Sequence, residues 1–208
     1  MRNSALEILR SRTSRLHRET ERALDLKRAA SSLPEYQRLI ARLLGFYEPL
    51  EEQLFSRPDS TVSRSIDLEA RRKTPALRAD LALLNPDRKV GVSACTYVPT
   101  FATDAALAGA WYVVEGATLG GKIIADYLSR QLGLGPRTGA AFFDCYGEQR
   151  QGRWDEYCDF LSSISDRDVD EVANGAVELF DSMRRWLDGR SVGEVHTTRF
   201  LKPMNAAG

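Results

Sequence analysis

The chain has 208 residues, and its 29 basic and 29 acidic side chains give a formal net charge of zero. This balance gives no electrostatic reason to expect nucleic acid or an anionic membrane as a partner. Three cysteines, none of them in a C-x-x-C pair, argue against a disulfide framework and against a cysteine-rich zinc site.

Size and composition favour a single domain. The sequence has no low-complexity segment or change in composition that would mark a second domain, so we predict one helical domain over residues 1–188 and a tail over 189–208. The first 21 residues are rich in charges, unlike a signal peptide, and the tail has no apolar run able to enter a bilayer. We therefore expect a soluble, cytoplasmic protein.

Apolar residues recur at helical spacing along most of the chain, which predicts an all-α fold. A first helix is predicted from Ser4 or Ala5 to about Leu26, and a second from a cap at Ser31 and Ser32 to about Phe55. The remaining predictions are a polar loop over 56–65, a helical region ending at Asn85, a long helix from 105 to 132–135, and helices over 154–164 and 166–187.

The long helix contains three glycines, Gly116, Gly120 and Gly121, without turn-forming residues around them. Each glycine inside a helix costs about 1 kcal/mol relative to alanine, so a compensating contact is expected. Residues four apart share a helix face, so Gly116 and Gly120 leave one face bare. Either a neighbouring helix or a flat ligand could approach the backbone there.

The two histidines of the chain have different surroundings. His196 lies in the polar tail, where we predict a solvated loop residue. His17 lies on the apolar stripe of the first helix between Thr13 and Thr20, so its imidazole is expected to point inward. A hydrogen-bonded core histidine and an iron ligand are both compatible with this position.

Two residues near His17 on the predicted helix favour its interpretation as an iron ligand. Glu21, one turn after His17, could accept a hydrogen bond from the ring nitrogen that does not bind metal. Arg10, two turns before His17 and about 10 Å along the axis, suits the acid groups of a haem bound through His17. An ordinary surface pair and a solvated cation are the alternatives for these two residues.

Several blocks of sequence, in this order, resemble the bacterial, biliverdin-producing haem (heme) oxygenases of the type associated with bacteriophytochromes. The resemblance covers most of the chain, and each block alone is a weak signal. The blocks are residues 9–17 with Glu21, residues 45–51, residues 75–81, residues 111–121, and Phe142-Phe143 followed by Tyr146-Gly147 and Trp154.

The resemblance implies a single-domain, multi-helix bundle that holds haem between a proximal and a distal helix. Haem b is then both substrate and cofactor, and O₂ with an external electron donor, such as a ferredoxin or a flavoprotein reductase, converts it to biliverdin, CO and Fe²⁺. A bacteriophytochrome is the implied acceptor of biliverdin. The resemblance assigns the iron to His17, haem contacts to Arg10, Glu21 and Val113, and the wall for oxygen activation to Gly116, Ala117, Gly120 and Gly121.

The chain also departs from this pattern. Mammalian-type enzymes have an aspartate after the first distal glycine, where this chain has Ala117. Trp111 stands at the position of a tyrosine near a haem propionate, and Ser14 at that of a second lysine. Two alternatives therefore stay open: a haem carrier or sensor without turnover, and a helical bundle in which Gly116 and Gly120 admit another helix.

Overall fold

The computed structural model describes residues 4–85 and 91–189, together with the backbone of residues 198 and 199. Over these residues the chain is helical, as its periodicity predicts, and the longest helix is the one that contains the glycines. The helices are α1 (Ser4–Leu24), α2 (Leu26–Ala29), α3 (Leu33–Leu54), α4 (Thr61–Ser65), α5 (Thr74–Leu84), α6 (Asp104–Leu132), α7 (Arg150–Ser162) and α8 (Val169–Leu187).

Local capping explains why the long helices begin and end near their predicted positions. The Ser32 hydroxyl accepts a hydrogen bond from the Glu35 amide at the start of α3, and Thr103 does the same for the Ala106 amide at the start of α6. Gly133 takes the left-handed conformation, with φ 69°, and ends α6. These signals depend on a few adjacent residues and are therefore legible in the sequence.

The structure departs from the predicted elements in four places. Helix α7 begins at Arg150, four residues before its predicted start at Trp154. The first helix ends two residues early, because Asp25 adopts φ 45° and caps the short α2. The predicted polar loop over 56–65 contains α4, whose cap is Ser60. Val92–Ser93 and Thr198–Arg199 pair as a two-stranded antiparallel sheet in a chain predicted to be wholly helical. Two-residue strands are too short to produce a period-two pattern.

Helix α8 packs against both α1 and α6. The α6–α8 contact is close because glycine lies at the crossing on both helices. A Cβ atom added to Gly109 would lie 1.9 Å from the Val172 carbonyl oxygen, and one added to Gly175 would lie 2.2 Å from the Ala106 carbonyl oxygen. The buried apolar residues of α8 include Val169, Val172, Ala176, Leu179, Phe180, Met183 and Leu187.

Within the described ranges, no helix is both long and apolar enough to span a bilayer.

Candidate functional site

A cavity of about 670 Å³ opens between α1 and α6. Its volume lies in the range of sites that bury a small organic molecule. Apolar side chains line most of it, with contributions from α3, α8 and the segment after α6. The aromatic lining residues are Tyr47, Tyr112, Phe142, Phe143, Trp154 and Phe180.

The structure places all eight residues singled out in the sequence around this one cavity. Helix α1 contributes the charged and polar residues of the set, and α6 contributes the apolar ones. From α1 these are Arg10, His17 and Glu21, and from α6 they are Val113, Gly116, Ala117, Gly120 and Gly121.

His17 lies at the edge of the cavity rather than in the core. Its side chain is 52 % exposed, whereas Thr13 and Thr20 are buried against the bundle. The expectation of an inward-pointing imidazole was therefore wrong. The apolar stripe of α1 runs through Leu16, and His17, about 100° further around the helix, reaches the cavity instead. The imidazole packs edge-on against Phe180 at 5.7 Å between ring centroids.

The predicted partner of His17 is close but does not form the predicted hydrogen bond. His17 Nδ1 lies 3.7 Å from Glu21 Oε2, which is longer than a hydrogen bond. The contact nevertheless places Nδ1 on the side of Glu21, so Nε2 is the nitrogen that a ligand in the cavity could meet.

The three glycines of α6 have different surroundings. A Cβ on Gly120 would meet nothing within 4 Å among the described atoms, and a Cβ on Gly116 would meet the Trp154 ring at 3.7 Å. Space is therefore open beside Gly120, whereas Gly116 is in ordinary van der Waals range of the Trp154 ring. A Cβ on Gly121 would lie 2.3 Å from the Phe143 carbonyl oxygen. Close packing within the protein, rather than ligand approach, accounts for Gly121.

The aromatic residue next to Arg10 is Tyr112, not Trp111. Trp111 is 1 % exposed, packs edge-on against Phe55 at 5.9 Å and does not line the cavity. Consecutive helical residues point about 100° apart, so Tyr112 faces the cavity while Trp111 faces the core. Burial raises the pKa of Tyr112, and the opposing effects are a hydrogen bond with Thr13 and the charge of Arg10.

A buried charged cluster, formed by Arg71, Lys73, Glu115 and Tyr146, lies behind the glycines. Glu115 is 1 % exposed and forms an ion pair with Arg71. Lys73 Nζ lies 3.2 Å from Glu115 Oε1, and the Tyr146 hydroxyl donates to the same oxygen at 2.8 Å. Burial lowers the pKa of Lys73. Lys73 also lines the cavity, where every other Lys, Arg, His, Asp or Glu of the described lining comes from α1.

Sequence reasoning missed this cluster. Its only signal is the run Arg71-Arg72-Lys73, which is typical of a solvated surface. Glu115 is 42 residues away from Lys73 in sequence, and the block over residues 111–121 that contains Glu115 gives no indication of a lysine partner.

The comparisons with known proteins agree on one family. The family described as "Heme oxygenase" matches residues 3–189. A curated protein named "Heme oxygenase" from Xanthomonas campestris pv. campestris (strain 8004) is 36 % identical over 112 residues, which is 53 % of this chain and 59 % of that protein. The alignment thus spans little more than half of the relative.

A solved structure supports the fold. The structure titled "Structure of Heme Oxygenase from Leptospira interrogans" superposes with a TM-score of 0.71 and 22 % sequence identity. The superposition covers 89 % of this chain and 99 % of the solved chain. An identity this low supports the helical architecture alone, whereas the family match extends over nearly all of the described residues. The chain therefore belongs to the heme oxygenase family.

Proposed function

We propose that this protein binds haem in the cavity between α1 and α6 and, with O₂ and a reductant, cleaves it to biliverdin, CO and Fe²⁺. The observation that carries the proposal is the geometry of the cavity: His17 on one side, and on another the backbone of Gly116 and Gly120, which have no side chains. When bound, haem supplies both the redox-active iron and the macrocycle that is cleaved.

The lining of the cavity fits this substrate. Haem is a flat, largely apolar macrocycle with two carboxylates at one edge, and the cavity is apolar except along α1. The cavity lining contains two arginines, Arg10 and Arg18, which lie on either side of His17 in the sequence. The charge of Arg10 acts to lower the pKa of Tyr112, against the larger effect of burial. We place the carboxylates at this side, where guanidinium groups would bind them. His17 Nε2 would then hold the iron.

The glycine side of the cavity has the complementary role. The absence of side chains at Gly116 and Gly120 leaves room for a small molecule beside the macrocycle, and many of the neighbouring lining residues are apolar. Ala117 has no group that could hold a proton. We propose that the buried charged cluster is the polar part of this side, because Lys73 is the cationic residue there that reaches the cavity. A fixed cation stabilises negative charge that develops nearby.

The test is a titration of the purified protein with hemin, followed by ascorbate under air. We expect a Soret band at one hemin per chain, then its loss with growth of a bilin absorption band in the red. A Soret band that persists without a bilin band would favour a haem carrier or sensor instead.

Variants of the two histidines test the iron ligand. His17→Ala should abolish or shift the Soret band, because the imidazole ligand is lost. His196→Ala is the matched control and should titrate as the unaltered protein does. A titration unchanged in His17→Ala would reject haem binding through His17 and favour a helical bundle in which Gly116 and Gly120 serve packing alone.

We propose a ferredoxin or a flavoprotein reductase as the electron donor and a bacteriophytochrome as the acceptor of biliverdin. Support for both comes from the sequence blocks that resemble the phytochrome-associated type. Mixing the turnover reaction with an apo-bacteriophytochrome should give its red-absorbing form at the rate of bilin production. Bilin that accumulates free in the presence of the acceptor would contradict this subtype.

A further inference from the structure

The cavity has an inner wall that belongs to no helix or strand. Residues 139–146, which we call the wall segment, form a series of turns after α6. The segment contributes Phe142, Phe143 and Cys145 to the cavity lining. Its Phe143 carbonyl lies directly against Gly121 of α6. Because the segment lacks a ladder of regular hydrogen bonds, its position depends on the side chains that hold it.

Two buried side chains, one on α5 and one on α3, hold the backbone of the wall segment. Asp80 on α5 is fully buried; its Oδ1 accepts a hydrogen bond from the Ala141 amide and its Oδ2 one from the Phe142 amide, both at 2.8 Å. The hydroxyl of Tyr36, also fully buried, donates to the Gly139 carbonyl oxygen at 3.0 Å. Both oxygens of Asp80 are therefore committed to consecutive amides immediately before Phe143.

An ionised carboxylate has a high desolvation cost when it is buried to bind two backbone amides. Among the described residues, no ion pair joins Asp80 to a lysine, arginine or histidine, so the two amides are its compensation. Burial raises the pKa of Asp80, against the effect of the hydrogen bonds from Phe142 and Ala141. A neutral amide side chain would have a lower desolvation cost, but in the same pose it would present its NH₂ group to one of the two amides.

We infer that Asp80 is a positioning residue, which sets the inner wall of the cavity and through it the orientation of the bound macrocycle. This inference rests on the proposed function. Phe142 packs edge-on against Tyr47 at 5.3 Å and against Phe143 at 5.0 Å. A shift of the 141–142 backbone therefore moves two aromatic side chains of the lining together. The edge of the macrocycle presented to the site of oxygen attack changes with them.

The test compares the biliverdin isomers formed by Asp80→Asn and by the unaltered protein. Asparagine keeps the size of the side chain, but its NH₂ group faces one of the two amides, which it cannot bind. We expect about a fivefold rise in the proportion of minor isomers, which corresponds to about 1 kcal/mol of lost orientational preference. Tyr36→Phe, which loses the bond to Gly139 alone, should change the proportions in the same direction and by less.

Val62→Ala is the control for a general loss of stability, because Val62 is fully buried on α4 and does not line the cavity. It should lower the melting temperature and leave the isomer proportions unchanged. An unchanged isomer pattern in folded Asp80→Asn overturns the inference, and if that variant does not fold, Tyr36→Phe decides in the same way.

Absence of bilin from the unaltered protein would reject the proposed turnover but not the positioning. In that case the visible circular dichroism of the hemin complex, which reports the orientation of the macrocycle against its aromatic neighbours, replaces the isomer assay. We expect a changed sign or intensity in Asp80→Asn, and an identical spectrum would overturn the inference.

Discussion

Gly120 and Gly121 are adjacent in sequence, yet they are glycine for different reasons. A methyl group on Gly120 would enter the open side of the cavity, whereas one on Gly121 would collide with the Phe143 carbonyl. Gly120 is explained by the space that a ligand needs in the cavity. Gly121 is explained by the backbone of the wall segment, which packs directly against it.

Alanine at each position should separate these two reasons. Gly120→Ala should raise the free energy of unfolding by up to about 1 kcal/mol, because alanine favours the helix, and should lower bilin formation because its methyl group narrows the cavity. Gly121→Ala should lower the free energy of unfolding by about 1–3 kcal/mol through overpacking. Urea denaturation and hemin turnover measure both effects. Equal stability changes in the two variants would contradict this assignment.

At the residue scale, sequence pattern located the cavity but not all of its chemistry. Helical spacing was enough to place Gly116 and Gly120 on one face, and the family resemblance placed His17 across the cavity from them. It could not place Lys73 beside Glu115, because that contact joins distant parts of the chain. It also could not choose Tyr112 over Trp111, because a comparison by aligned position does not show which of two adjacent helical residues faces the cavity.

At the scale of elements, the α6–α8 crossing is set by glycine on both helices. Gly109 and Gly175 bring the two backbones into direct contact, which side chains at these positions would prevent. The glycines of α6 thus serve three surfaces, since Gly109 faces α8, Gly121 faces the wall segment, and Gly116 and Gly120 face the cavity.

Gly109→Ala should therefore be destabilising, although alanine has the higher helix propensity. We expect the free energy of unfolding to fall by about 1–3 kcal/mol or more. The added methyl group would overlap backbone atoms of α8, which cannot rotate away as a side chain can. Gly152→Ala on α7 is the matched control, since nothing lies within 4 Å of its added Cβ, and it should be neutral or gain up to about 1 kcal/mol. Urea denaturation of both variants checks the difference. Similar values for the two would mean that the helices can move apart at little cost.

Sequence predicted the long elements well because their boundary signals are local. Ser32, Thr103 and Gly133 act within a turn of the residues that they cap. The short elements were missed for the opposite reason. Helix α4 is one turn capped by Ser60, and the strand at Val92–Ser93 exists only through its partner at Thr198–Arg199. Neither has enough residues to express a period.

At the scale of the whole molecule, most of the tyrosines have a raised pKa, and they have it for the same reason. Burial is the largest cause of a raised pKa at six of the seven tyrosines of the chain. These are Tyr36, Tyr47, Tyr97, Tyr112, Tyr146 and Tyr157. Folded pKa values above those of the unfolded chain, near 10, give stability that is complete below pH ~10 and is lost as the pH rises above it. The lowered pKa of Lys73 acts in the opposite direction, but as one group against six.

We therefore expect alkaline unfolding in a narrow pH range. The free energy of unfolding should be insensitive to tyrosine ionisation up to about pH 10 and should fall steeply above it. Phenolate absorbance should then appear together with loss of the helical circular dichroism signal. Ionisation of the tyrosines in a protein that keeps its full helical signal would contradict the burial of their hydroxyl groups.

Helix α6 is held by backbone contacts on both sides of its open stretch. Gly109 fixes it against α8, and Gly121 fixes it against the wall segment, while Gly120 has no close neighbour. Between these two points the buried Trp111 and Glu115 restrain the other face of the helix. The side of the cavity that α6 forms is therefore part of the packed core over about three turns, rather than a hinged lid or a separate domain.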